Sequence, residues 1–312
     1  MLYYLYLLAA VILMALQFAV NKFYQSKNGS AMMTSLLYTA LSGLATGAIF
    51  FCINGFSLHV TPLSFLYAVL IAVLCLGYSL LGFKIFSLGN FSVFTMFLML
   101  GGMLLPFLFG LLFLGDANAM PPHSLAMRIL GVLLLIGAMI LPITEKTETT
   151  DDRDPRSSKT RVLFVVLCLL VFFMNGFVSI FSKLHQIETT YPTVDNNSFV
   201  ILTNTINGIF SAFILFLLTL KNKGGPKLAP SFKPWMLVSA VVIYALCNGL
   251  SYLLQLLAAA STMPASVQYP MMTGGSVVLT ALAGYLFFGE KQSRRAFFGT
   301  CLAFAATFLF LF

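Results

Sequence analysis

Side chains able to do chemistry are sparse in this sequence, and where they stand within apolar runs they are neutral. In 234–258, Tyr244, Asn248, Tyr252 and Gln255 recur at i, i+4, i+8 and i+11, so a helix places them on one face. In 197–220, Asn204, Asn207 and Ser211 share a face in the same way, as do Asn175, Ser179 and Ser182 in 161–183. The N-terminal half has weaker counterparts: Gln17 and Asn21, then Thr34, Tyr38 and Ser42, then Tyr78. Gln268 and Tyr269 precede Pro270, which frees a backbone carbonyl in its helix. Amides, phenols and hydroxyls of this kind hold a ligand by hydrogen bonds and carry out no bond-making step on their own. Interhelical bonding is the competing reading for any one of them. As a group they predict a polar cavity, with Gln17, Tyr78, Asn175, Asn204, Asn207, Tyr244, Asn248, Tyr252, Gln255 and Gln268 as candidate substrate contacts.

Catalysis would need a nucleophile with a base beside it, or a metal cluster. Serines and tyrosines are plentiful, but His59, His123 and His185 fall in gaps between apolar runs and do not cluster. Cys52, Cys75, Cys168, Cys247 and Cys301 sit singly, with no CxxC, and read as small core residues. The expectation is no catalytic residue, no metal and no cofactor, hence no enzyme. Ionic chemistry is also pushed to the edges. Lys22, Lys84 and Lys183 fall at the ends of apolar runs, where their long stems let the charge snorkel outward. Glu290 lies among Lys291, Arg294 and Arg295, which predicts an interfacial ion pair.

The elements that must position these residues follow from composition. Of 312 residues, 60% are hydrophobic and 8% charged, with a mean hydropathy of +0.97. A soluble domain carries roughly a quarter of its residues as charges. A polytopic all-α membrane protein is therefore expected. Ten runs are long enough to cross a bilayer: 2–23, 30–53, 64–86, 91–114, 124–143, 161–183, 197–220, 234–258, 263–288 and 294–312. The first reads as a span and not as a signal peptide, having no basic residue ahead of it and no small-residue cleavage site. Only 144–160 is a polar linker. It divides the chain into a first five-helix half, 1–143, and a second, 161–312.

The net charge of +8 would suggest nucleic acid in a soluble protein, but here the basic residues lie in gaps where lipid headgroups meet them. Alternate gaps hold fifteen of the 17 Lys and Arg; only Arg128 and Lys183 lie on the other side. That bias predicts a cytoplasmic 144–160 and both termini outside. The partners expected are the bilayer and a small molecule, with no nucleic acid. Compact loops without targeting extensions point to a bacterial inner membrane.

The halves resemble each other. A shift of 174 residues lays 92–116 on 266–290 without a gap, matching Gly101, Gly110 and Gly115 to glycines and Asp116 to Glu290. A shift of 161 pairs Lys22 with Lys183 and Gln25 with Gln186. Five spans is an odd number, so the second repeat is expected to be inverted, an arrangement common in secondary transporters.

With these features on the page, the chain resembles the drug/metabolite transporter superfamily, in particular its ten-span EamA-like members. The resemblance rests on FLGD (113–116), FFGEK (287–291), AAASTMPASVQ (258–268) and NGFVSIFSK (175–183). Met103 and Val277 stand where that family places a proline, and Ala15 stands where it has Trp-Gly. The resemblance implies two inverted five-helix repeats and alternating-access transport of a small neutral, zwitterionic or weakly cationic metabolite, such as an amino acid or amine, more often outward. The alternative within transport is a sugar-phosphate or nucleotide-sugar exchanger, which needs Lys84 or Lys183 inside the bundle. A membrane enzyme or a non-transporting scaffold is the alternative outside transport.

Overall fold

A computed structural model describes residues 2–29, 31–88, 91–118, 121–141, 155–222, 224–230, 232–261, 263–289 and 294–311. These residues are helical nearly throughout, and no strand occurs among them. The helices are α1 (Leu2–Asn28), α2 (Met32–Ile53), α3 (Pro62–Leu88), α4 (Phe91–Phe113), α5 (Pro122–Ile140), α6 (Pro155–Ile187), α7 (Asn196–Asn222), α8 (Pro234–Ala259), α9 (Ala265–Phe288) and α10 (Arg294–Phe308). A short 3-10 turn, Leu309–Leu311, follows.

Seven of these helices have stretches long and apolar enough to cross a membrane, and Phe97–Phe113, Pro122–Ala138 and Phe297–Phe308 are shorter apolar stretches. Their outer faces are crowded with large apolar side chains, among them Leu66, Leu112, Phe113, Phe213 and Phe216. Water would not tolerate so much exposed apolar surface, whereas a bilayer requires it. The chain is an integral, polytopic membrane protein.

Several helix ends differ from expectation, each for a local reason. α1 runs on to Asn28, where Gly29 takes φ +71° and ends it. α6 reaches Ile187 at one end and starts at Pro155 at the other. Residues 155–160 of the expected linker are therefore helical, since proline is well suited to a first helical turn. The rest of the linker, 144–154, lies outside the described residues, as does Glu290; the side chain of Lys84 is likewise not described.

Two compact units emerge: Met1–Leu76 with Phe181–Thr262, and Gly77–Ile180 with Met263–Phe312. Each draws on both halves of the sequence, and the division falls inside α3 and α6.

In the first unit α2 packs on α7, and α8 packs on α1, α2 and α7. Gly43 of α2 meets the backbone of Asn204 and Gly208 on α7, and Gly47 meets Thr205. Helices in lipid gain little from the hydrophobic effect and associate by close packing, which small residues permit. α1 and α8 run antiparallel: Ser251 donates to the Ala10 carbonyl at 2.8 Å, and Gln17 Nε2 to the Tyr244 hydroxyl at 3.2 Å.

In the second unit α4 packs on α9 and α5 on α10. Gly131 lies against Phe310, and Gly299 against the Ala138 carbonyl. Tyr78 and Leu81 of α3 pack on Leu167, Cys168 and Val171 of α6. Asp116, buried after α4, accepts from the Ser266 N–H at 2.9 Å and so caps α9. Gly115 and Gly289, the positions matched by the 174-residue shift, both take positive φ, +74° and +62°.

Candidate functional site

Seven of the ten candidate residues fall in the first unit, where they form a polar seam along α8. Its first node is the Gln17–Tyr244 bond between α1 and α8. The Tyr244 ring meets Tyr38 of α2 edge-on at 5.4 Å, and Tyr38 stacks on Tyr24 of α1 at 4.2 Å. Tyr24 and Tyr38 are each fastened by their hydroxyls, Tyr24 to the Thr34 carbonyl at 2.9 Å and Tyr38 to the Ala240 carbonyl at 3.4 Å.

One turn along α8, Asn248 Nδ2 donates to Asn204 Oδ1 of α7 at 2.8 Å, and Asn204 Nδ2 donates to the Val200 carbonyl at 2.9 Å. Tyr252 OH lies 3.0 Å from Ser182 Oγ, near the end of α6. Gln255 Nε2 donates to Ser251 Oγ at 3.1 Å. Asn207 and Ser211 carry the seam along α7 beyond Asn204. The i, i+4 spacing of the sequence thus becomes a set of bonds to three neighbouring helices, α1, α7 and α6, with Gln255 bonded within α8 itself. Its members are uncharged.

The remaining three candidates belong to the second unit. Asn175 Nδ2 donates to the Leu98 carbonyl at 2.7 Å, a bond that joins α6 to α4. Gln268 is enclosed on α9, and the neighbouring Tyr269 donates to the Ser179 carbonyl at 2.7 Å. Tyr78 packs on an apolar cluster.

Three expectations are corrected. Lys183 does not snorkel: it is buried, and its Nζ donates at 2.7 Å to the carbonyl of Ala259, the last residue of α8. A cation at a helix C-terminus is favourable, because the final carbonyls lack partners and carry the negative end of the helix dipole. His185 lies inside α6 and not in a gap, stacked on Phe199 at 3.6 Å, with Ser64 Oγ 2.8 Å from Nε2 and Gln186 Nε2 2.9 Å from Nδ1. Cysteines 168 and 247 are buried as expected, but Cys52 and Cys301 are exposed.

Sequence reasoning missed Tyr24, Ser251 and His185. Ending the first span at 23 left Tyr24 outside it, and ending the sixth at 183 did the same to His185. The Asn28-Gly29 stop signal was the cue for the first. Ser251 stands four residues before Gln255, the spacing that lets the two bond.

A shallow depression of about 550 Å³ is lined by Asn54, Ser57, His59, Thr61, Thr193, Val194 and Asp195, at the loops joining α2 to α3 and α6 to α7. Val194 N–H donates to Ser64 Oγ at 3.0 Å, and Asn197 Nδ2 to Asn54 Oδ1 at 3.2 Å. These bonds tie each loop to the helix that follows the other, Val194 to α3 and Asn54 to α7. Among the described residues no group of three or more metal-ligating side chains exists.

No family model and no curated protein matches the chain. Solved structures do: 28 chains match, among them a protein known by crystallography at 14% identity and TM-score 0.68. That match covers 98% of this chain and 94% of the other. The likeness shows a shared fold along nearly the full length of both.

Proposed function

We propose that the chain is a secondary transporter with ten membrane spans in two inverted five-helix repeats. It moves a small neutral, zwitterionic or weakly cationic metabolite, such as an amino acid or amine, and exports it. The observation that carries this reading is the uncharged seam of the first unit, where Asn248 bonds Asn204 and Gln17 bonds Tyr244 in the middle of membrane helices. Polar groups at that depth are costly unless paired or lining a pathway, and a run of them on one face of α8 supports a route for a polar solute there.

Two observations support the inverted repeat. Helices five places apart pack directly, α2 on α7, α4 on α9 and α5 on α10. The equivalent Gly115 and Gly289 share a left-handed backbone at the ends of α4 and α9. The resemblance to ten-span drug/metabolite transporters fits the same scheme, with 144–160 cytoplasmic, both termini outside and a bacterial inner membrane as the site of action.

An anion exchanger would need a cation committed to the substrate. Lys183 is engaged with the end of α8, which argues against that role. The test is thermal stabilisation of the purified protein by amino acids, amines, nucleosides and sugar phosphates, repeated with Asn248→Ala and Gln255→Ala. A ligand that binds only the folded state raises apparent stability by mass action. Stabilisation by amino acids or amines, lost in both variants, is the expected result. Stabilisation by phosphates alone, unchanged in the variants, would overturn the reading.

A further inference from the structure

Three amide donors of the seam are spent, whereas two buried oxygens on α7 are unmatched. Asn248 Nδ2, Asn204 Nδ2 and Gln17 Nε2 are each committed to an oxygen within the protein. By contrast, Asn207 Oδ1 and Ser211 Oγ are buried with no hydrogen-bond partner, and Ser211 is fully enclosed. The two stand one turn apart on the same face of α7. They flank Gly208, whose backbone packs on Gly43 of α2. α7 runs from Asn196 to Asn222, so this pair sits at its middle. Tyr38 and Tyr244, in ring contact with each other, are on the two helices that pack against α7.

Unmatched acceptors in a low-dielectric interior cost free energy, and a ligand that brings donors recovers it. A carboxylate or phosphate brings acceptors only: it could accept a hydrogen bond from the Ser211 hydroxyl but would leave Asn207 Oδ1 without a donor. An ammonium group is the opposite case: three donors, no acceptor, and an affinity for aromatic faces. We infer that Asn207 and Ser211 form the subsite for the substrate's ammonium group. This inference rests on the transport reading and narrows its substrate to compounds bearing a primary amine. With no acid in the subsite the charge is only partly compensated, so binding stays weak enough for release, as turnover demands.

The experiment uses the full chain in detergent and follows unfolding temperature against butylamine, butanol, butyrate and sodium chloride. Butylamine raises the wild-type value, and butanol and butyrate do not. Asn207→Leu and Ser211→Ala each remove an unmatched buried polar group, so each raises stability without ligand and weakens butylamine binding about tenfold. Asn207→Asp presents oxygen on both sides and adds a charge, so it tightens butylamine about tenfold if it folds; the other two variants decide the matter if it does not. Equal butylamine response in wild type, Asn207→Leu and Ser211→Ala overturns the subsite and leaves the transport reading standing. Lower ligand-free stability in both variants, or a sodium effect that reproduces the amine's, also overturns it. A wild type stabilised neither by butylamine nor by any compound of the wider panel overturns both.

Discussion

Asn248 and Asn204 are joined by a 2.8 Å hydrogen bond across α7 and α8, and Asn204 is oriented in turn by the Val200 carbonyl. The pair therefore serves two ends at once: it fixes the spacing of two helices and sets the level of the polar seam. Asn248→Leu leaves Asn204 Oδ1 without its donor, and we expect a loss of about 1–2 kcal/mol in unfolding free energy. The Asn204→Leu, Asn248→Leu double variant has neither orphan and should recover most of that loss. Unfolding curves of the four proteins in one detergent provide the cycle.

Gly43 is a position at which α2 meets backbone and leaves no room for a side chain. A Cβ there would lie 2.8 Å from the Asn204 carbonyl oxygen and 2.9 Å from Gly208 Cα, both backbone atoms. Gly43→Ala should cost about 1–3 kcal/mol by forcing the helices apart. At Gly137 of α5 nothing lies within 4 Å of the added carbon. Gly137→Ala should be neutral or stabilising by up to about 1 kcal/mol. Thermal unfolding of the two variants side by side checks the contrast.

Outside the membrane, Asp195 caps the start of α7. Burial opposes its ionisation, but hydrogen bonds from the Ser198 side chain and N–H hold its carboxyl below the usual carboxylate range, and His59 adds to this from 3.8 Å. A carboxyl lowered on folding stabilises the protein above its unfolded value, near 3.8. That contribution is lost as the pH falls through the lowered folded value. Unfolding temperature measured from about pH 7 down to about pH 3 should decline on this acid limb. In Asp195→Asn, which keeps an acceptor but does not titrate, the decline should be shallower.

Much of the fold was legible because lipid imposes a simple rule: apolar runs of about 20 residues become helices. The α8 stripe was equally plain, since its spacing alone puts Tyr244 through Gln255 on one face. Helix ends were less legible. Hydropathy stops counting at a lysine or glutamine, whereas the backbone stops only where its hydrogen bonds do, so α1 continues to Asn28 and α6 to Ile187. The fates of individual polar groups were hidden for a different reason. Asn175 and Asn248 look alike in sequence, yet Asn175 bonds a backbone carbonyl and Asn248 another side chain. Lys183 could not be placed either, because its partner, the end of α8, is 76 residues away in the chain.

The most direct test of the transport claim is exchange across a membrane. Protein reconstituted into liposomes would be loaded with an unlabelled amine or amino acid that stabilises it in detergent, and entry of the labelled compound would be followed. Saturable uptake that depends on the internal load, and falls at least about tenfold in Asn248→Ala, is the predicted result. Binding without exchange, or exchange indifferent to Asn248, would contradict a transport route along the α8 seam.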